Sequence, residues 1–199
     1  MSDALNTLPP TLAQRVAGEL QPGEAVRWAG VPGWFSSALP TLPLFVFGIA
    51  WSSLTFSFEG AAVASILAPG APSSMGTGMG ILFLIFGLPF VAVGVVLLGL
   101  PFFEATRALM TAHVVTDRRL ITVHGGPWRS VEIRPVAALT FVVRRDHDDQ
   151  RGTLRLGFGV EVDGDGDPRS VQVSWRGVPA VRAAEDAVRA LAAQAGRVV

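Results

Sequence analysis

Between Arg27 and Glu104 the chain carries a single ionisable side chain, Glu59. A soluble domain exposes charge wherever a long segment reaches water, so so wide a gap leaves few folds open. A hydrocarbon core needs about 20 consecutive apolar residues for one helical crossing. Residues 34–58 and 80–103 each supply such a stretch. A helix at the surface of a soluble protein keeps a polar stripe. Neither Leu44-Phe45-Val46-Phe47-Gly48-Ile49-Ala50-Trp51 nor Ile81-Leu82-Phe83-Leu84-Ile85-Phe86-Gly87-Leu88 has one. The sequence therefore predicts two transmembrane helices. About thirty mostly polar residues precede the first, which is not the layout of a cleavable signal; both helices are expected to stay in the mature protein.

Arginine placement orients the pair. Arg15 and Arg27 precede the first crossing, Arg107, Arg118 and Arg119 follow the second, and the link 59–78 has none. The positive-inside rule then predicts a multi-pass protein of the bacterial inner membrane with both termini cytoplasmic. All the basic residues are arginine, a habit of high-GC bacterial genomes. Pro40 and Pro43 mark the start of the first helix or a kink near it; Pro89 and Pro101 bend or end the second. Gly80, Gly87 and Gly94 recur every seventh residue and share one face of the second helix, where small residues permit close helix approach. The expected partner is the first helix through Gly48 and Ser52; the alternative is dimerisation through the same stripe, including Gly76. The link 59–78, rich in Ala, Gly, Ser and Pro, is expected along the far membrane surface, which leaves neither helix with an ionisable residue at its middle. A two-helix transporter acting alone is then not expected.

The flanks read differently. Pro9 and Pro10 suit the first turn of a short helix with Leu12, Val16 and Leu20 on one face. Residues 24–30 read as a strand or extended lead-in. Beyond Glu104 the pattern alternates, predicting strands at 109–115, 120–123, 130–133, 139–143, 153–161 and 170–175, separated by Gly, Pro and Asp turn chemistry. A final helix is predicted over 179–195, with Pro179 in its first turn, Gly196 at its end, and Val181, Ala184, Val188, Leu191 and Ala195 on one face. Three regions follow: 1–33, a cytoplasmic N-terminal helix and lead-in strand; 34–103, the transmembrane hairpin; and 104–199, a β-rich domain. The expected class is an α+β membrane protein whose domain is an antiparallel β-sandwich or partly open barrel capped by the C-terminal helix.

Two stretches carry a resemblance. His113-Val114-Val115-Thr116-Asp117-Arg118-Arg119-Leu120-Ile121, following a two-helix membrane segment, resembles the opening of bacterial pleckstrin-homology-like domains. Leu20-Gln21-Pro22-Gly23-Glu24-Ala25-Val26-Arg27-Trp28-Ala29-Gly30-Val31-Pro32 is similar to the lead-in of membrane-anchored members. The resemblance implies two roughly orthogonal antiparallel sheets with a capping helix, and membrane-associated or interaction roles rather than catalysis. One departure concerns position 113, where the family often has tyrosine; this chain has no tyrosine.

The remaining chemistry is sparse. Zero net charge removes a field that would attract nucleic acid. The absence of cysteine removes disulfides, thiolate nucleophiles and cysteine zinc sites. Arg118, Arg119, Arg144 and Arg145 sit at turns or strand ends and are candidates for contact with the membrane surface or a partner, each basic residue contributing about 1 kcal/mol near anionic headgroups. Without lysine, lysine-based phosphoinositide recognition is not expected. Asp163-Gly164-Asp165-Gly166-Asp167-Pro168 alternates acids like a calcium loop but lacks glycine and glutamate at the required places, so a hairpin turn is the simpler reading. Asp146-His147-Asp148-Asp149 cannot converge four adjacent side chains on one metal without strain. Hydrolase, nucleotide and metalloprotease signatures are missing. The expectation is a non-enzymatic, membrane-anchored interaction module with no cofactor or small-molecule substrate, whose partners are the bilayer, a membrane protein or a second copy. The alternative is an accessory subunit of a transport or envelope-assembly complex, using the hairpin as its interface.

Overall fold

The computed structural model describes residues 3–68, 76–127, 129–147, 150–162 and 168–197. In chain order its elements are α1 (Pro10–Glu19), β1 (Val26–Gly30), α2 (Trp34–Ala38), α3 (Leu42–Leu67), α4 (Thr77–Leu109), β2 (Thr111–Thr116), β3 (Arg119–His124), β4 (Ser130–Pro135), β5 (Phe141–Asp146), β6 (Arg151–Val162), β7 (Pro168–Pro179) and α5 (Val181–Gln194). They form two units: Met1–Ser37 together with Glu104–Val199, and Ala38–Phe103.

The first unit is an α+β fold with two antiparallel sheets. One has the order β1-β2-β3-β4, the other β5-β6-β7, and they do not close into a barrel. The N-terminal segment is therefore part of the β-rich unit. Trp28 pairs with Val115, Ala29 with Val114 and Gly30 with His113, so the first strand of the sheet comes from before the hairpin and the second from after it. Sequence alone left 1–33 as a region by itself, because strand pairing across so long an insertion has no local signature.

Burial explains why β2 departs from alternation: all six of its residues are buried. On one face Trp28, Val115 and Leu120 join Leu139, Leu154, Leu156 and Trp175 from the second sheet and its approach, with Val181, Ala184, Val188 and Leu191 of α5. On the other face Val26, Ala29, Ala112, Val114, Ile121 and Val123 are covered by Leu5, Leu8, Leu12 and Val16. α1 thus lies over a sheet face that would otherwise be open to water. β6 bulges between Gly157 and Val160, where Gly159 at φ +73° occupies a backbone region that glycine reaches without steric cost.

α5 presents Val181, Ala184, Val188 and Leu191 inward as its periodicity predicts, but Ala195 is exposed and Pro179 is not in its first turn. Pro179 ends β7, paired with Arg151, and Ala180, at φ +45°, turns the chain into the helix. The helix closes as a Schellman motif: Gly196 N–H donates to the Ala193 carbonyl and Arg197 N–H to that of Ala192.

Pro40 lies in the 3-10 turn Leu39–Thr41 that separates α2 from α3, and Pro43 sits in the first turn of α3. Trp34–Leu67 and Thr77–Leu109 are long and apolar enough to cross a membrane, and only 11% and 6% of their most apolar windows are buried, unlike core helices of a soluble protein. Both outrun the expected limits. α4 carries Pro89 and Pro101 inside it without ending. α3 continues through Gly60-Ala61-Ala62-Val63-Ala64-Ser65-Ile66-Leu67; the Ala and Ser of that stretch, read as loop composition, lie inside the helix and meet no proline before residue 69. Glu59 is consequently inside α3, eight residues and about 12 Å of helix before its end, and not at the start of a link along the membrane surface as the composition suggested.

Gly80, Gly87 and Gly94 all face α3. A Cβ at Gly80 would lie 2.9 Å from the Ala62 carbonyl, one at Gly94 2.6 Å from Ser52 Oγ, and one at Gly87 would overlap the Glu59 carboxylate. Gly48 faces Leu97 in the same seam. Replacing Gly94 with leucine is expected to force α3 and α4 apart and to lower the midpoint of unfolding of the full chain in detergent. In the β-rich unit, Trp175→Ala is expected to cost about 3–5 kcal/mol in chemical denaturation, the usual range for a buried tryptophan.

Candidate functional site

The two stretches singled out in sequence meet in space. Glu24, whose side chain is fully buried, faces Arg119, whose side chain is 16% exposed. Arg119 donates from Nε to Glu24 Oε1 at 2.9 Å and from Nη2 to Oε2 at 2.9 Å, the bidentate geometry that suits guanidinium and carboxylate. Thr116 Oγ1 lies 2.8 Å from Oε1 and the Gln21 backbone N–H donates to Oε2 at 2.8 Å, so both carboxylate oxygens are satisfied. Asp117 completes the join: its N–H donates to the Ala25 carbonyl, and its Oδ1 accepts from Ala25 N–H, both at 3.0 Å. Hydrogen bonding by Arg119 is the main reason the Glu24 carboxyl is held at about 2, below its ordinary value near 4.5. The same bond raises the Arg119 guanidinium.

A second contact ties the sheets together. His113 stacks on Trp175 with centroids 4.6 Å apart, and Trp175 stacks on Trp28 at 5.9 Å. The imidazole Nδ1 lies 3.1 Å from Thr122 Oγ1. Burial disfavours the imidazolium and pushes His113 down to about 3 from an ordinary value of 6.5. Trp175 Nε1 is buried without a hydrogen-bond partner among the described residues. Position 113 is thus filled by a flat ring that serves inter-sheet packing.

Both ends of the insertion are anchored within the β-rich unit. After β1, Gly33 N–H donates to the Gly177 carbonyl at 2.9 Å, and Arg151 Nη1 donates to the same oxygen at 3.1 Å. Gly177 has φ +59° and packs directly on Ser36, leaving no room for a side chain. Before β2, Thr111 Oγ1 donates to the Arg107 carbonyl at 2.8 Å and lies 3.1 Å from His124 Nδ1.

The four candidate arginines divide. Arg119 is committed to Glu24. Arg118 reaches toward Gln21 Oε1, at 3.5 Å. Arg144 pairs with Asp146 at 2.9 Å and with Glu185 at 2.5 Å. Arg145 is exposed. The structure does not gather them: Arg118 and Arg119 belong to the β2–β3 turn, Arg144 and Arg145 to β5. Asp148, Asp149 and residues 163–167 lie outside the described residues, and among the described residues no group of three or more His, Asp or Glu is placed to hold a metal. Two acids were not among the site residues expected from sequence. Glu24 had only its neighbourhood as a signal, and Glu59 its isolation.

Compared with family models, curated proteins and solved structures, the chain matches none.

Arg119→Ala is expected to destabilise the full chain by roughly 3 kcal/mol, since it strands a buried carboxylate; chemical denaturation in detergent measures it. For His113 the unfolded chain binds a proton below about 6.5 and the folded chain only below about 3. Stability therefore falls as pH drops through that window. His113→Phe is expected to flatten the decline in melting temperature between about pH 6.5 and 4.5, leaving the smaller contribution of His124, which burial also lowers.

Proposed function

We propose that the protein is a non-enzymatic, membrane-anchored interaction module: a pleckstrin-homology-like domain held at the cytoplasmic face of a bacterial inner membrane by the inserted hairpin. The observation that carries this reading is the pairing of β1 with β2 around the hairpin. Paired strands lie on one side of any bilayer, so the segment between them leaves and returns on the same side. That supports two crossings and ties the domain to the membrane at two points. The pleckstrin-homology-like assignment is supported by the four-stranded and three-stranded sheets with a C-terminal helix, and by the contact between the two resembling stretches.

The recognition surface in this reading is the sheet edge at β4. Its residues are mostly exposed, with Val131 at 39% and Ile133 at 45%, and an unpaired edge can accept a strand from a partner. The second reading, an accessory subunit acting through its helices, is favoured by the exposed apolar surface of α3 and α4.

Photocrosslinking residues placed singly at Ile133 and Val95 of the full chain, in native membranes, separate the two. Capture of one discrete protein from Ile133 is expected. Capture from Val95 alone moves the function to the hairpin, and capture from neither removes the interaction reading.

A further inference from the structure

A carboxylate within an apolar helix pair is costly unless it pairs or is neutralised, and such groups mark binding sites or pathways. Glu59 is in this position. Trp51, Thr55 and Glu59 on α3 and Phe86, Gly87 and Phe90 on α4 line a groove of about 300 Å³. The missing side chain at Gly87 leaves space for the carboxylate. Phe86 lies 5.6 Å from Phe90 and Phe90 5.8 Å from Trp51, centroid to centroid, giving a row of rings along one wall. The Trp51 indole N–H is already used by the Phe90 carbonyl at 3.0 Å, and the Thr55 hydroxyl by the Trp51 carbonyl at 2.9 Å. The carboxylate is left as the groove's polar group, without an ion pair or hydrogen bond among the described residues.

We propose that this groove binds a lipophilic organic cation, with Glu59 as counter-ion and Trp51, Phe86 and Phe90 as aromatic walls. Charge narrows the occupant. No cationic side chain occurs between Arg27 and Glu104, so the hairpin cannot neutralise Glu59 itself, and a second copy of the hairpin brings only another carboxylate. A divalent metal would need six or more oxygens, where the groove offers one carboxyl group. Aromatic faces instead favour a diffuse organic cation whose body is apolar, and the volume suits a small ligand. This site is separate from the β-rich unit and goes beyond the interaction reading.

Equilibrium dialysis of the purified full chain in detergent against radiolabelled tetraphenylphosphonium tests it. One saturable site per chain is expected. Glu59→Gln, which keeps the shape of the side chain, is expected to weaken binding about tenfold or more, and Phe86→Ala several-fold. Val95→Ala, outside the groove, should bind as the unaltered chain does. Absence of saturable binding, equal binding by Glu59→Gln, or equal loss in Val95→Ala overturns the proposal. The last outcome would mean that the probe only partitions onto apolar surface.

Discussion

Glu24 and Arg119 are ninety-five residues apart in the chain, yet their bidentate pair holds the turn after β2 against the segment that leads into β1. The Asp117–Ala25 backbone exchange lies at the same junction, the β1–β2 ladder begins beside it, and α1 covers the outer face of the sheet so formed. A buried ion pair is weak evidence of net stability, because desolvation offsets its attraction. Its value here is geometric. It accepts one register of β1 against β2 and leaves an uncompensated carboxylate in any other, which matters for strands that no short turn aligns.

An insertion of this length is tolerable for two reasons. Loop-closure entropy grows slowly, by about 0.6 kcal/mol for each doubling of length. The inserted chain is also not a flexible loop but two helices, packed through a seam of Gly48, Ser52, Gly80, Gly87 and Gly94. The contacts of Gly33 and Ser36 with Gly177, and of Thr111 with Arg107 and His124, fix where the insertion leaves and rejoins the unit.

Much of this was legible in sequence, and the failures share a cause. The strands after residue 110 and the inward face of α5 follow from local periodicity. The Thr116-Asp117-Arg118-Arg119 run stands out as a motif, but its work is internal: Thr116 binds the turn, Asp117 the backbone of Ala25, and Arg119 the buried Glu24. Sequence offers the charge of Arg119 and not its partner. Composition misled at residues 59–67, where small residues suggested a loop but no breaker interrupts the helix. It misled again at Pro179, which suits a helix start by propensity while the end of β7 claims it.

By itself the sequence determined the division into apolar and alternating regions, the two helices long enough to cross a membrane, and the glycine stripe between them. These depend on local composition and on the 3.6- and 2-residue periods, which neighbours in the chain set. The tertiary structure decided what distant residues do together. It put the N-terminal strand into the sheet, buried β2 on both faces, stacked His113 on Trp175, and set Glu59 opposite Gly87 within the aromatic groove. Each of these depends on a partner tens of residues away, and packing chooses that partner by shape and by the cost of leaving a charge or a sheet face uncovered.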